Sequence, residues 1–217
     1  MSPAVEDYTK AIYHLQHQFD QPVRTAVLAE RMGVQPASVS GMLRKLDDLG
    51  YLHYLPYRGI RLSETGRLAA LDIIRRHRLL ELFLSEVLGV SWDRVHDEAE
   101  ALEHALSPEL CDLIAARLGD PTLDPHGDPI PSKDGVLVES HHEPLAMTAL
   151  GRRVRVARVS DRDPEVLRLL SAFEIGLGAV VSVVARHSGG ELTVRVNSTT
   201  HVLPEPTVAA ILVDPLP

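Results

Sequence analysis

Apolar positions recur at helical spacing from the start of the chain: Val5, Tyr8, Ile12 and Leu15 share one face between Pro3 and about Gln18. Gln21-Pro22 breaks that pattern. A short helix is predicted over Ala26 to Met32, opened by Arg24 or Thr25 and closed by Gly33. Val34-Gln35-Pro36-Ala37-Ser38 starts another helix running through Leu49, with Pro36 in its first turn and Gly50 at its end. Short helix, glycine turn and second helix make a helix-turn-helix. Tyr51–Leu55 and Gly59–Leu62 then read as two strands of a small hairpin around Pro56-Tyr57-Arg58, the wing of a winged helix. Ser63-Glu64-Thr65-Gly66 is expected to turn the chain into a long helix from Arg67 to about Leu88, interrupted by Val90-Ser91-Trp92. Asp93–Leu106 and Pro108–Leu118 follow as further helices.

Past Gly119 the period disappears, because Pro121, Pro125, Pro129, Pro131 and Pro144 break every regular element. From Leu150 the chain turns β-rich. Strands are predicted at Val154–Val159, Val180–Arg186, Leu192–Val196 and Val208–Val213, with a turn at Ser188-Gly189-Gly190 and a helix over Pro164–Phe173. The fold class is therefore α+β. The expected boundaries are a winged helix-turn-helix over 1–70, a helical domain over 71–140, a linker over 141–150, and a small barrel or sandwich over 151–217.

Charge changes the picture in one respect. The net charge of −8 argues against a general polyanion binder, yet it is unevenly spread. Residues 1–75 hold 9 Lys/Arg against 8 Asp/Glu, and the remainder 13 against 22. The first part can approach phosphates while the rest stays acidic. No apolar run is long enough to span a membrane, and Met1–Asp7 shows no export signal, so a cytoplasmic protein is expected. The single Cys111 excludes an internal disulfide.

The second predicted helix of the reading unit supplies Gln35, Ser38 and Ser40 for hydrogen bonds to bases or backbone, and Pro36 and Ala37 for thymine methyl groups. Arg44 and Lys45 lie one or two turns on, and Arg58 and Arg61 on or beside the wing, placed to hold phosphates. Duplex DNA is the partner this implies. A second chemistry sits in Val95-His-Asp-Glu-Ala-Glu-Ala-Leu-Glu-His-Ala-Leu106, which as one helix stacks His96, Glu100, Glu103 and His104 along a stripe. His77 and Glu81 repeat the four-residue spacing earlier, and Asp7 on the first helix is a further candidate. Carboxylates and imidazoles at this spacing converge on a divalent cation, whereas a solvated face has no need to cluster them. An enzymatic bundle centre requires Glu-x-x-His on two helices, and HExxH, phosphate loop and nucleophile elbow are all absent. No small-molecule substrate is expected. A winged helix answering to a small molecule is the remaining rival.

These stretches resemble the diphtheria toxin repressor family of iron- and manganese-dependent regulators over nearly the whole chain. The matching runs are Glu6-Asp7-Tyr8 with Ile12-Tyr13, Pro36-Ala-Ser-Val-Ser40, Gly66-Arg67, His77-Arg-Leu-Leu-Glu81, Val95-His-Asp-Glu98, Glu103-His104-Ala-Leu-Ser107 and Pro125-His-Gly-Asp-Pro-Ile-Pro131. The resemblance implies a helical dimerisation domain, an SH3-like (FeoA-like) third domain, and a homodimer that represses metal-uptake genes from a palindromic operator. It places Asp7, Glu100, Glu103 and His104 on the primary metal site, and His77, Glu81 and His96 on ancillary positions. The second site is expected to be completed by Asp124 and His126, and by Asp161, Asp163 or Glu165, with Asp163 ranked first. Iron-responsive members carry Met and Cys where this chain has Asp7 and Glu100. Oxygen donors favour manganese as the cofactor, with ferrous iron the alternative. Lys10 stands where some manganese members have a ligand Glu, which argues against a two-ion cluster. Gly41 replaces a longer polar residue, which alters the base readout at that position.

Overall fold

The structure is a computed structural model that describes residues 2–19 (Phe19 by its backbone alone), 21–55, 57–138 and 140–216; Pro56 of the expected wing lies outside them. Contacts divide the chain into two compact units, 1–77 with 101–111 and 131–137, and 78–100 with 112–130 and 138–217.

In the first unit α1 spans Pro3–Phe19, α2 Thr25–Met32 and α3 Pro36–Asp48. Val5, Tyr8 and Ile12 of α1 meet Leu28 of α2 and Val39, Leu43 and Leu46 of α3 in one core, so the predicted stripe is the buried one. Gly33 ends α2 in the left-handed region (φ 64°), donating to the carbonyls of Ala29 and Glu30. Strands β1 (Leu52–Leu55) and β2 (Gly59–Leu62) form the antiparallel wing. A bridge between Val23 and Ile60 ties β2 to the entry of α2.

Helix α4 runs Glu64–Glu86, three residues earlier than the pattern predicts. Ser63 accounts for this: its Oγ accepts from Gly66 N at 3.1 Å, so Ser63-Glu64-Thr65-Gly66 is a helix start and not a separate turn. Gly66 is required inside the helix because a Cβ there would lie 2.8 Å from the carbonyl carbon of Tyr51.

The second unit takes α4 from Arg78 onward, α5 (Val95–Leu102) up to Glu100, α6 (Pro108–Arg117) from Asp112, and the C-terminal sheet. Strands β3 (Glu143–Pro144), β4 (Arg153–Val159), β5 (Val180–Arg186), β6 (Leu192–Val196), β7 (Thr199–Leu203) and β8 (Ile211–Pro215) pair in the order β3-β8-β4-β5-β6-β7, all antiparallel. Register shifts at Val156/Arg158 and Val183/Ala185 curl this SH3-like sheet around Val154, Val156, Val181, Val183, Val194 and Leu145. Helix α7 (Pro164–Ala172) and a short helix α8 (Glu205–Ala209) close the core.

Three expectations change here. Residues 141–150, read as a linker, contribute β3 and the fully buried Leu145 to the sheet core. The strand expected over Val208–Val213 begins only at Ile211, because Glu205-Pro206 after Pro204 opens α8 first. Strand β7 was not expected, since Thr199-Thr-His-Val-Leu203 lacks apolar alternation. No helix among the described residues is long and apolar enough to cross a membrane.

Candidate metal centres and DNA-reading face

In the first unit, Asp7, Glu103 and His104 each offer a ligand atom within 4.8 Å of the others. His104 Nε2 lies 3.0 Å from Asp7 Oδ1 and 3.7 Å from Glu103 Oε1. Glu103 and His104 are not on the expected helical stripe. Helix α5 ends at Leu102, and 103–105 form a turn closed by Ala105 N on Leu102 O. The chain stops there because Ser107-Pro108 must open α6, with Ser107 Oγ accepting from Leu110 N. Leaving the helix is what lets these neighbours serve one point, since consecutive helical residues face different directions.

A carboxylate outside the predicted set orients His104. Glu6, only 5% exposed, accepts from His104 Nδ1 at 2.6 Å, which turns Nε2 toward Asp7 and Glu103. Arg76 Nη1 lies 3.7 Å from the other Glu6 oxygen. Periodicity could not have singled out Glu6; the only sequence signal was its place beside Asp7. Glu103 is buried and fully engaged: Oε2 is 2.6 Å from His77 Nδ1, and Lys10 Nζ reaches both oxygens at 2.8 and 3.0 Å. Burial pushes the Glu103 carboxyl up, but the hydrogen bond from His77 and the charge of Lys10 outweigh it and hold it below its ordinary value. Two carboxylates and an imidazole oriented by a third carboxylate, with no sulfur, fit a divalent cation of manganese type.

The second unit builds another cluster around the buried Glu81, Asp124 and His126, whose ligand atoms also fall within 4.8 Å of one another. Asp124 Oδ1 accepts from His126 N (2.8 Å) and Asp128 N (2.9 Å), winding Pro125-His-Gly-Asp128 into a tight turn. Val159 N binds His126 O at 2.8 Å, docking that turn on β4 beside its bulge. Gly127 is required there: at φ 87° a Cβ would run into the Ala157 carbonyl and lie 3.0 Å from Arg158 Cα.

His126 donates through Nε2 to Trp92 O at 2.7 Å, and its Nδ1 is buried and without a hydrogen-bond partner among the described residues. A buried imidazole grouped with two buried carboxylates, one ring nitrogen left without a hydrogen bond, is the arrangement a metal ligand would have. Burial, then the charges of Asp128 and Glu81, push the Asp124 carboxyl well above its ordinary value, with Arg78 opposing. His96 adjoins this cluster, with Nδ1 at 3.0 Å from Asp161 Oδ2 and 3.3 Å from Glu81 Oε1. The hydrogen bonds to Asp161 and then Glu81 push His96 up to about 10, so its imidazolium supplies positive charge to these acids.

Two expected ligands, Asp163 and Glu165, take other roles. Asp163 caps α7, its carboxylate accepting from Glu165 N at 2.9 Å, and Asp161 takes the place beside His96. A residue immediately before Pro164 at a helix start is committed to capping, which Asp161 is not. Glu165 pairs with Arg168. His77 Nδ1 lies 2.6 Å from Glu103 Oε2 in the first unit. Glu100 is exposed near the end of α5, with His96 Nε2 3.9 Å from its carboxylate.

On α3 the residues Gln35, Pro36, Ala37, Ser38, Ser40, Arg44 and Lys45 are all exposed, opposite the buried Val39, Leu43 and Leu46. Gln35 is the N-cap in extended conformation, with no side-chain capping bond. Ser40 Oγ donates back to Pro36 O at 3.1 Å, so its oxygen is left to accept. Arg58 and Arg61 are exposed on the wing. Tyr54 on β1 was not anticipated. It is half-exposed, and its phenol is pushed up by burial and then by the charge of Asp47, with Arg44 opposing.

Comparison with known proteins matches all three parts of the chain. The iron-dependent repressor N-terminal DNA-binding domain matches residues 1–60, its metal-binding and dimerisation domain 63–132, and the FeoA domain 143–215. The diphtheria toxin repressor of Corynebacterium efficiens is 30% identical over 189 residues, 82% of each protein. The iron-dependent repressor IdeR of Mycobacterium tuberculosis is 36% identical over 126 residues, 58% of this chain and 54% of that protein. A solved manganese-dependent transcriptional repressor in complex with manganese is 42% identical, covering 98% of this chain and 100% of its own, with a TM-score of 0.87. The chain belongs to the diphtheria toxin repressor family of metal-dependent transcriptional repressors.

Proposed function

We propose that this protein is a manganese-responsive repressor that binds a palindromic operator as a homodimer in the cytoplasm and shuts off metal-uptake genes. The observation that carries the reading is the meeting of Asp7 with Glu103 and His104, oxygen and nitrogen donors only, with Glu6 fixing the imidazole. A bound divalent cation supplies positive charge shared by donors on two separate segments. Asp7 belongs to α1, whose Val5, Tyr8 and Ile12 pack against Leu28, Val39, Leu43 and Leu46. Holding Asp7 against Glu103 and His104 therefore fixes α1, and through that core the exposed face of α3. Without the cation, the link between Asp7 and the 103–104 turn rests on side-chain contacts such as His104 Nε2 to Asp7 Oδ1 at 3.0 Å, and the junction is weaker. Two α3 helices on a two-fold dimer must match half-sites about 34 Å apart, so order at this junction becomes operator affinity. Leu110 and Leu113, exposed on α6, offer apolar surface to the second copy.

Gln35, Ser38 and Ser40 read bases in this account, Pro36 and Ala37 touch thymine methyls, and Arg44, Lys45, Arg58 and Arg61 hold phosphates. His96, Glu81, Asp124, His126 and Asp161 form a second cation site in the other unit. The test is selection of duplexes from a random pool, followed by anisotropy titrations with manganese, ferrous iron, zinc or chelator, for wild type and Asp7→Ala. Manganese at micromolar levels should raise wild-type affinity at least tenfold and leave Asp7→Ala unchanged. Equal affinity with and without metal defeats the proposal, and a stronger response to ferrous iron at equal concentration reassigns the metal.

A further inference from the structure

The first cluster contains a cation of its own. Lys10 Nζ lies 2.8 and 3.0 Å from the two oxygens of Glu103, whose side chain is 1% exposed, and Lys10 itself is 15% exposed. The same Glu103 Oε1 lies 3.7 Å from His104 Nε2, and these two residues are the donors that converge with Asp7. We propose that Lys10 is a tethered competitor for Glu103, which raises the metal concentration at which the first site fills. The inference rests on the proposed reading of Asp7, Glu103 and His104 as a cation site.

Three features of the chain support it. Lys10 is one turn after Glu6 and three residues after Asp7 on α1, so its ammonium is delivered by the helix that presents the ligand Asp7. Burial of Glu103 is offset by the hydrogen bond from His77 and by the charge and hydrogen bond of Lys10, so the ammonium is a main source of its charge compensation in the metal-free protein. A carboxylate has enough lone pairs to hold an ammonium and a metal together, so Lys10 is not forced to leave. If it stays, an ion bonded to Oε1 at a coordination distance of about 2.0–2.2 Å has a like charge only a few ångströms away. If it leaves, the ion pair is lost. Both routes weaken binding, and both disappear when the charge is removed.

The opposite possibility is that Lys10 aligns Glu103 for the metal, in which case its removal weakens binding. The experiment is calorimetric titration of the full chain with Mn2+, cross-checked by the loss of the free hexaaqua Mn2+ paramagnetic resonance signal. Wild type, Lys10→Met and Lys10→Arg are compared, each also in an Asp7→Ala background. Lys10→Met should bind Mn2+ about tenfold or more tightly, Lys10→Arg should stay within about threefold of wild type, and the gain should vanish with Asp7→Ala. Lys10→Gln takes the place of Lys10→Met, with the same expected gain, if circular dichroism shows the methionine variant unfolded. Unchanged or weaker binding by the neutral variants overturns the proposal while leaving the site assignment intact. Identical Mn2+ binding by wild type and Asp7→Ala defeats the site assignment itself.

Discussion

Replacing Gly127 with alanine puts a methyl group where the turn over 125–128 meets β4. The added Cβ runs into the Ala157 carbonyl oxygen and lies 3.0 Å from Arg158 Cα, both backbone atoms that no rotamer change can clear. A non-glycine residue at φ 87° costs about 1–2 kcal/mol by itself. Backing the turn away from β4 also stretches the bond from Val159 N to His126 O (2.8 Å), worth about 1 kcal/mol. The expected loss is therefore about 2–4 kcal/mol, or a Tm lower by about 5–12 °C in calorimetry of the metal-free protein. Gly33→Ala is the control: its φ is 64° but nothing lies within 4 Å of the new methyl, so it should lose only about 1 kcal/mol. His126 moves with the turn, so Gly127→Ala should also weaken the second site, read as a smaller Tm gain on adding Mn2+. Equal losses for the two variants would refute the claim that close packing on β4 fixes His126.

Glu6→Gln should lower manganese affinity at the first site by about 10- to 100-fold in calorimetry, because His104 loses the carboxylate that orients it. Asp161→Asn should reduce second-site binding, whereas Asp163→Ala should cost about 0.5–2 kcal/mol of stability as a lost helix cap and leave metal binding unchanged. The metal-free protein should lose stability as pH rises. His96 is raised to about 10, so its contribution is complete below an ordinary value of about 6.5 and fades through 10, and the raised Asp124 acts in the same direction. The Tm gain from Mn2+ should accordingly be larger at pH 8 than at pH 6; a gain that shrinks with pH would contradict the protonation states assigned here. Arg44→Ala should weaken binding to all duplexes and reduce the salt slope by about one, while Gln35→Ala should alter the selected sequence.

The reading unit was legible because α1, α2 and α3 each bury a single stripe, so spacing alone reports which residues face inward. Strands β5 and β6 were legible for a similar reason, since runs of valine between a glycine turn and a serine-glycine turn have few other uses. The metal clusters were legible by residue type but not by arrangement. Helical stacking of His96, Glu100, Glu103 and His104 assumed one helix, and the competition between that helix and the Ser107-Pro108 start of α6 ended it at Leu102. The contacts of Glu6 with His104 and of Lys10 with Glu103 were not legible because they join residues about a hundred positions apart. Asp161 and Asp163 differ by two positions, and only the capping demand of α7 separates them.

The join between the wing and α4 has a mechanical consequence. Ser63 binds Tyr51 O through its backbone and Gly50 O through its hydroxyl, and Gly66 sits against Tyr51 with no room for a methyl. Such a seam transmits rotation without slack, so a twist imposed on the first turns of α4 must carry β1 along with it. The start of α4 is thus a lever arm for the DNA-facing hairpin, and a search for the hinge of this regulator should pass over Gly50 and Gly66 despite their being glycines.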